Sequence, residues 1–177
     1  PFLTNETILD LETLPEHLIV VGGGYIGLEF AQMYRRFGAR VTVIEHGRRL
    51  VAKEDEDISD ALLGILEDEG IDVVFGASEF ETGGITGDLR VGFAADGKRT
   101  ELAGSHLLVA IGRRPNSDGL ALEAAGIAAD ERGIITVNER LETSADGVYA
   151  LGEINGRGAF THTAYNDFEV VAANLLG

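Results

Sequence analysis

The chain has 177 residues, 45% hydrophobic and 25% charged, an ordinary balance for one good-sized core or two small lobes. Its formal net charge of −16 repels phosphate backbones and anionic headgroups, which argues against nucleic acid and membrane surfaces as partners. Cysteine is absent, so disulfides, thiolate metal sites and thiol chemistry are excluded within this chain.

In chain order, residues 1–17 read as an irregular lead-in with a helical stretch at 7–11, broken by Pro15. Leu18 to Val21 is a short apolar run suited to a buried parallel strand. After a glycine turn, Tyr25 to Phe37 has helical spacing, with Ile26, Phe30, Met33, Tyr34 and Phe37 on one face and Gly38 as a left-handed stop. Arg40 to Glu45 is a second strand, rich in β-branched residues. Glu54 to Glu69 is a second helix with Ile58, Leu62, Ile65 and Leu66 inward and Gly70 as its cap. Its acidic start, Glu54 to Asp57, reads as a solvated first turn complementing the helix dipole rather than a metal site. Ile71 to Phe75 is a third strand. Alternating runs at 79–82 and 89–94 precede an Asp96-Gly97 hairpin signal and a further run at 99–102. His106 to Ile111 is another apolar strand, ended by Gly112. Beyond Pro115 short elements and glycine-rich turns dominate, with apolar runs at 134–137 and 148–151 and a last helix from about Ala164 to Leu176. A lobe boundary falls near Arg113 to Asn116. No apolar run reaches the roughly 18 residues that span a bilayer, and no targeting segment is expected from the residues ahead of the first strand. His17, His46, His106 and His162 form no metal pair at helical spacing, so no metal site is expected.

The pattern Gly22-Gly23-Gly24-Tyr25-Ile26-Gly27 fits G-x-G-x-x-G. Alone it is weak, since 24 of the 177 residues are glycine. Its context is specific: it follows a strand, opens a helix, and a second strand ends in Glu45 about 20 residues on. Gly22 permits the turn, Gly24 lets a pyrophosphate approach the backbone, and Gly27 packs the helix on the sheet. Glu45 can accept hydrogen bonds from the adenine ribose. Its charge repels a 2′-phosphate and so favours NAD(H), although His46, Arg48 and Arg49 in the same loop leave NADP(H) as the alternative.

Three ordered motifs then carry a family resemblance. Residues 19–29, Ile-Val-Val-Gly-Gly-Gly-Tyr-Ile-Gly-Leu-Glu, resemble the NAD(P)-domain signature of the flavoprotein disulfide reductases, the class I pyridine nucleotide-disulfide oxidoreductases. Residues 110–116, Ala-Ile-Gly-Arg-Arg-Pro-Asn, resemble that family's linker motif. Residues 148–153, Val-Tyr-Ala-Leu-Gly-Glu, resemble its second FAD motif, which usually ends Gly-Asp. The tail, with Ala159 to His162, Tyr165 to Phe168 and Asn174 to Gly177, is similar to a mercuric-reductase-like branch that includes the bacterial flavoprotein of reactive-chlorine resistance.

The resemblance implies an α/β fold: a Rossmann-like, three-layer dinucleotide-binding domain with a parallel sheet and a β-meander crossover, plus a partial FAD-domain segment. It implies an NAD(P)-binding domain at 1–112 and a returning segment of the FAD domain at 113–177. For NAD the implied set is Gly22, Gly24, Tyr25, Ile26, Gly27, Glu29, Glu45, His46 and Gly112. Tyr25 resembles the residue that gates the nicotinamide pocket, Glu29 the carboxylate near the carboxamide, and Gly112 the backbone beside the nicotinamide ribose. For FAD the implied set is Arg113, Gly152, Glu153, Thr161 and His162. The plain alternatives stay open: a half-buried aromatic for Tyr25, a polar helix residue for Glu29, a surface arginine for Arg113 and a structural histidine for His162. Glu153 departs from the family's Asp and carries its carboxylate about 1.5 Å further out.

The family's first FAD motif, redox-active cysteine pair and dimerisation domain have no match here, so no catalytic residue is expected in this chain. Pro1 and Gly177 then read as cuts on either side of a middle piece of a homodimeric, cytoplasmic parent. The expected function is the NAD(H)-binding portion of an FAD-dependent oxidoreductase passing hydride from NAD(P)H to flavin, inactive alone. The competing readings are a non-catalytic NAD-responsive binding module and a piece of an NADH oxidase or ferredoxin-reductase-like flavoprotein.

Overall fold

His17–Val21 form β1, and every residue of it is buried. A strand covered on both faces cannot alternate apolar with polar, which is why it reads as one continuous apolar run. The computed structural model describes residues 2–176, so Pro1 and Gly177 and the readings placed on them lie outside the described residues. The chain divides into two compact units, residues 1–112 and 113–177.

In the first unit, α1 (Tyr25–Phe37), β2 (Arg40–Ile44), α2 (Glu56–Asp68) and β3 (Asp72–Val74) follow β1. Next come β4 (Ser78–Ile85), β5 (Asp88–Ala95), β6 (Lys98–Gly104) and β7 (His106–Val109). β1, β2, β3 and β7 build one parallel sheet in the order β3-β2-β1-β7, with Val21 opposite Ile44 on one side and Val109 on the other. β4, β5 and β6 form a separate antiparallel sheet, the expected meander, closed at Asp96-Gly97 with φ of 49° and 70°. Both residues in the left-handed region identify the turn type that suits a two-residue hairpin. A second two-residue turn, Thr86-Gly87, joins β4 to β5 and was not anticipated.

The parallel sheet separates two hydrophobic clusters, making three layers. Leu18, Val20, Val41 and Val43 face α1 and α2, meeting Leu28, Ala31, Tyr34 and Leu66. Ile19, Val21 and Ile44 face the antiparallel sheet, meeting Leu89, Val91 and Phe93. Successive side chains of a strand point to opposite faces, so each strand feeds both clusters. Leu3 extends the sheet beyond β7, donating to the Leu107 carbonyl (2.7 Å) and accepting from the Val109 N–H (3.0 Å).

Two helix faces differ from expectation. The inward line of α1 is Gly27, Leu28, Ala31 and Tyr34, while Phe37 is exposed and Phe30 and Met33 pack at the flank. Small residues at the line of contact let the helix axis approach the sheet, and the bulky ones are displaced sideways. In α2, Ser59 and Leu66 are buried, and Ile58 and Ile65 are exposed. The Ser59 hydroxyl donates to the Leu50 carbonyl at 2.7 Å, which turns that polar position inward and rotates the two isoleucines out.

His17 closes the N-terminal end of β1. Its Nδ1 meets the Ala103 carbonyl at 2.8 Å, and its Nε2 meets the Thr42 hydroxyl at 2.9 Å. A carbonyl only accepts, so Nδ1 carries the proton and Nε2 accepts from Thr42. Burial lowers the His17 pKa below its ordinary value; the Ala103 bond and Asp72 act upward, Arg40 downward. Burial likewise lowers that of His106.

The second unit is mostly turns, with 3₁₀ segments at Leu122–Ala125 and Gly152–Asn155 and one long helix, α3 (Thr161–Leu176). That helix starts three residues before the expected Ala164, where the Thr163 hydroxyl donates to the Phe160 carbonyl (2.7 Å). The two apolar runs are present only as single bridges, Ala129 with Ile135 and Glu142 with Tyr149. Among the described residues, no helix is long and apolar enough to cross a membrane, and no acidic or histidine cluster could hold a metal ion.

Candidate functional site

The chain leaves β1, runs through α1 to β2 on one side, and returns later as β7 on the other. The strand order therefore reverses at the C-terminal end of β1, the position where parallel α/β sheets bind ligands. The glycine turn occupies it. Gly22 has φ +113°, donates to the Ile44 carbonyl at 2.9 Å, and a Cβ there would come within 2.8 Å of the Ala110 carbonyl carbon. A Cβ on Gly27 would strike the Gly22 carbonyl oxygen and lie 3.3 Å from Val20. Helix, turn and strand thus touch backbone to backbone, which only glycine allows.

Gly24 is different. It is the N-cap of α1 at φ −81°, and a Cβ on it would point into open space. The first helical bond runs from the Leu28 N–H to the Gly24 carbonyl (3.0 Å). The first-turn amides, including those of Ile26 and Gly27, have no carbonyl within the helix, so the helix start offers donors and the positive end of a dipole. Tyr25 is partly exposed and Ile26 half-buried at this start, and Glu29 is exposed on the next turn.

Glu45 follows directly on β2 and makes more contacts than its motif position foretells. Its Oε2 accepts from the Gly23 N–H and its Oε1 from the Gly47 N–H, each at 2.5 Å. Its backbone is tied to Val74 (2.8 Å) and Ala77 (3.1 Å). The carboxylate therefore joins the glycine turn to the loop after β2. A carboxylate has about four acceptor sites, so room remains for hydroxyl donors. The same loop is tied back where the Val51 N–H donates to the Gly23 carbonyl (2.9 Å). His46 is exposed with Nδ1 on the Ala77 carbonyl (2.9 Å), and Arg49 donates to the Ala52 carbonyl (2.9 Å). Gly23 and Gly47 are the residues that motif reading passed over. The usable signal was a glycine at a free position of the motif and another two residues after the acid.

Gly112, the last residue of the first unit, is exposed, with open space around a notional Cβ. In the second unit the Arg113 guanidinium forms an ion pair with the Glu153 carboxylate and donates to the Ala159 carbonyl at 3.2 Å. Both charged side chains stay a little over two-fifths exposed, 44% and 43%. Gly152, adjoining Glu153, is held by Asp167 of α3. Thr161 and His162 are exposed at the start of α3, and the His162 ring stacks on Phe160 with centroids 5.5 Å apart. The structure thus gathers Gly22, Gly24, Tyr25, Ile26, Gly27, Glu45 and His46 around one sheet end. Separately, it gathers Arg113, Gly152 and Glu153 around one turn.

Comparisons with known proteins bear on the family of the chain. The family described as pyridine nucleotide-disulphide oxidoreductase matches residues 2–167. The chain is 39% identical over 170 residues to a probable pyridine nucleotide-disulfide oxidoreductase, RclA, of Escherichia coli, covering 96% of this chain and 38% of that protein. It is 40% identical over 170 residues to a dihydrolipoyl dehydrogenase of Thermus scotoductus, covering 94% and 36%. Among solved structures, the HOCl-induced flavoprotein disulfide reductase RclA from Escherichia coli superposes with a TM-score of 0.90 at 38% identity, over 99% of this chain and 40% of that one. The chain therefore spans less than two-fifths of the length of these curated relatives. A match running through both units, at such identity and with the same fold, means that the chain belongs to the pyridine nucleotide-disulphide oxidoreductase family.

Proposed function

We propose that residues 1–112 bind NAD(H), and that 113–177 form part of the FAD-binding domain, of a flavoprotein in which hydride passes from NAD(P)H to flavin. The observation that carries this reading is the pairing of the Gly22–Gly27 turn with Glu45. The turn leaves open space over Gly24 at a helix start, and the carboxylate stands on its rim. Those parts fit a dinucleotide: amide donors for the pyrophosphate and a carboxylate acceptor for ribose hydroxyls. Glu45 disfavours a 2′-phosphate, and Arg49, one of the loop's basic residues, is engaged by the Ala52 carbonyl. NAD(H) is accordingly preferred over NADP(H).

The second unit fits one part of a flavin nucleotide. Glu153 offers a half-exposed carboxylate to polyol hydroxyls, and Arg113, its ion-pair partner, is the contact on the flavin side. When both cofactors are held, nicotinamide supplies the hydride and flavin accepts it. This chain's share is position: Gly24 and the α1 amides hold the pyrophosphate, Glu45 fixes the ribose, Tyr25 gates the nicotinamide pocket, and Glu29 and Gly112 flank it. The remaining FAD and dimerisation domains, the redox cysteines and the electron acceptor's site belong to the parent chain, a cytoplasmic homodimer in this reading.

Parallel calorimetric titrations with NADH and NADPH test the proposal. NADH binds the more tightly, and the chain alone turns over neither. Tighter NADPH binding overturns the role given to Glu45, and absence of binding by both removes the function.

A further inference from the structure

The turn carrying Gly152 and Glu153 is held from behind by two residues to which the motifs assign no role. Asp167, on α3, accepts on one oxygen, Oδ2, from the Gly152 N–H (2.9 Å) and from the Asn155 side-chain amide (2.7 Å). Asn155 is buried. Its second amide hydrogen goes to the Ala150 carbonyl (3.1 Å), and its Oδ1 accepts from the Arg157 N–H (2.9 Å). Both donors and the acceptor of this one side chain are thus committed, spanning the turn from Ala150 to Arg157. Gly152 sits at φ +75°, so its N–H direction fixes how the chain leaves toward Glu153. Glu153 in turn meets Arg113.

We infer that Asp167, assisted by Asn155, is a positioning residue for Glu153. It fixes the backbone at Gly152 from which the Glu153 carboxylate reaches flavin hydroxyls, and it does not itself touch flavin. The inference rests on the proposed assignment of residues 113–177 to a flavin-binding domain. A half-buried carboxylate is costly unless its oxygens are satisfied, and here two donors converge on one oxygen. A carboxamide oxygen can take the same two bonds, whereas a methyl group takes neither.

The experiment is flavin affinity in the full-length parent, read from quenching of FAD fluorescence on adding apoprotein, for wild type, D167N, D167A, E153A and E153A/D167A. Melting temperature and NADH affinity are measured on the same samples. D167N stays within about threefold of wild type, because both bonds survive. D167A weakens FAD about ten- to a hundredfold, consistent with two unmade bonds to buried donors. In the E153A background D167A adds less than about threefold, although its melting-temperature loss persists in both backgrounds. NADH affinity is unchanged throughout. Should D167A fail to fold, D167E keeps the charge, shifts the oxygens by one methylene, and carries the same comparison. An equal loss of FAD affinity with and without Glu153, or no loss, overturns the inference while leaving the domain assignment intact. Wild-type protein that binds no flavin overturns both.

Discussion

Replacing Glu45 by glutamine changes one atom of the site and tests the geometry sharply. Both carboxylate oxygens accept from backbone amides, Gly23 and Gly47, at 2.5 Å. A carboxamide has one oxygen, so one amide keeps its acceptor and the other faces an NH₂ group, donor against donor. A hydrogen bond to a charged group contributes about 1.5–3 kcal/mol, and an opposed donor adds to its loss. For a chain of this size each kcal/mol moves the melting temperature by about 2–4 °C, so E45Q is expected to melt roughly 3–12 °C lower. Its NADH affinity falls further than a ribose contact alone explains, about ten- to a hundredfold, because turn and loop lose their shared anchor. Thermal unfolding followed by circular dichroism, with calorimetric NADH titration at 15 °C, reads both effects. E45A should cost no more than E45Q, since water can enter where alanine leaves space. An E45Q protein melting within about 1 °C of wild type would refute the clamp.

The two motif glycines should separate fold from ligand. G24A places a methyl group in open space at an ordinary φ, so it melts like wild type yet loses about tenfold or more in NADH affinity. G27A drives a methyl group onto the Gly22 carbonyl and loses both affinity and about 1–3 kcal/mol of stability; equal melting of the two variants would contradict the contact. For His17 the sign follows from burial. Its folded pKa lies below the ordinary value near 6.5, so the unfolded chain binds more protons in that window and stability declines as pH falls below about 6.5. The stability His17 confers is complete above that pH and is lost down through the depressed folded pKa. Urea midpoints between pH 7.5 and 5.5 should fall less steeply for His17→Gln, leaving the part due to His106, and parallel profiles would exclude the role.

What the sequence made legible follows the length of each signal. β1, α1, β2 and the turn between them were readable because glycine spacing, strand hydrophobicity and the acid at Glu45 all constrain one βαβ unit. On α1 the spacing identifies Tyr34, which is buried, and Phe30 and Met33, which pack against the core, but it includes the exposed Phe37 and passes over Gly27 and Ala31, because periodicity favours large residues. Ile58 and Ile65 were misplaced for a related reason: a satisfied serine, Ser59, faces inward, and hydrophobicity cannot register a hydroxyl whose partner is a carbonyl nine residues earlier. At the candidate site, the acid at Glu45 is legible from its spacing to the glycine turn, but its bonds to Gly23 and Gly47 depend on backbone directions that residue types do not encode. Asp167 and Asn155 were invisible for the same cause. Each looks like an ordinary polar residue until the fold brings it to Gly152.

The strand order has a consequence for how the site comes into being on the chain. One wall of the glycine turn, β2, follows within a few dozen residues, and β1, α1 and β2 can associate locally. The opposite wall is the backbone at Ala110, whose N–H bonds the Val21 carbonyl at 2.8 Å only after the whole antiparallel sheet has been passed. Closing so long a loop carries an entropic cost that local contacts do not repay until the distant strand docks. A nascent chain that has emerged only as far as β3 therefore has every motif residue of the turn but an open-sided one. The proposed nucleotide site is therefore completed late, on the arrival of β7.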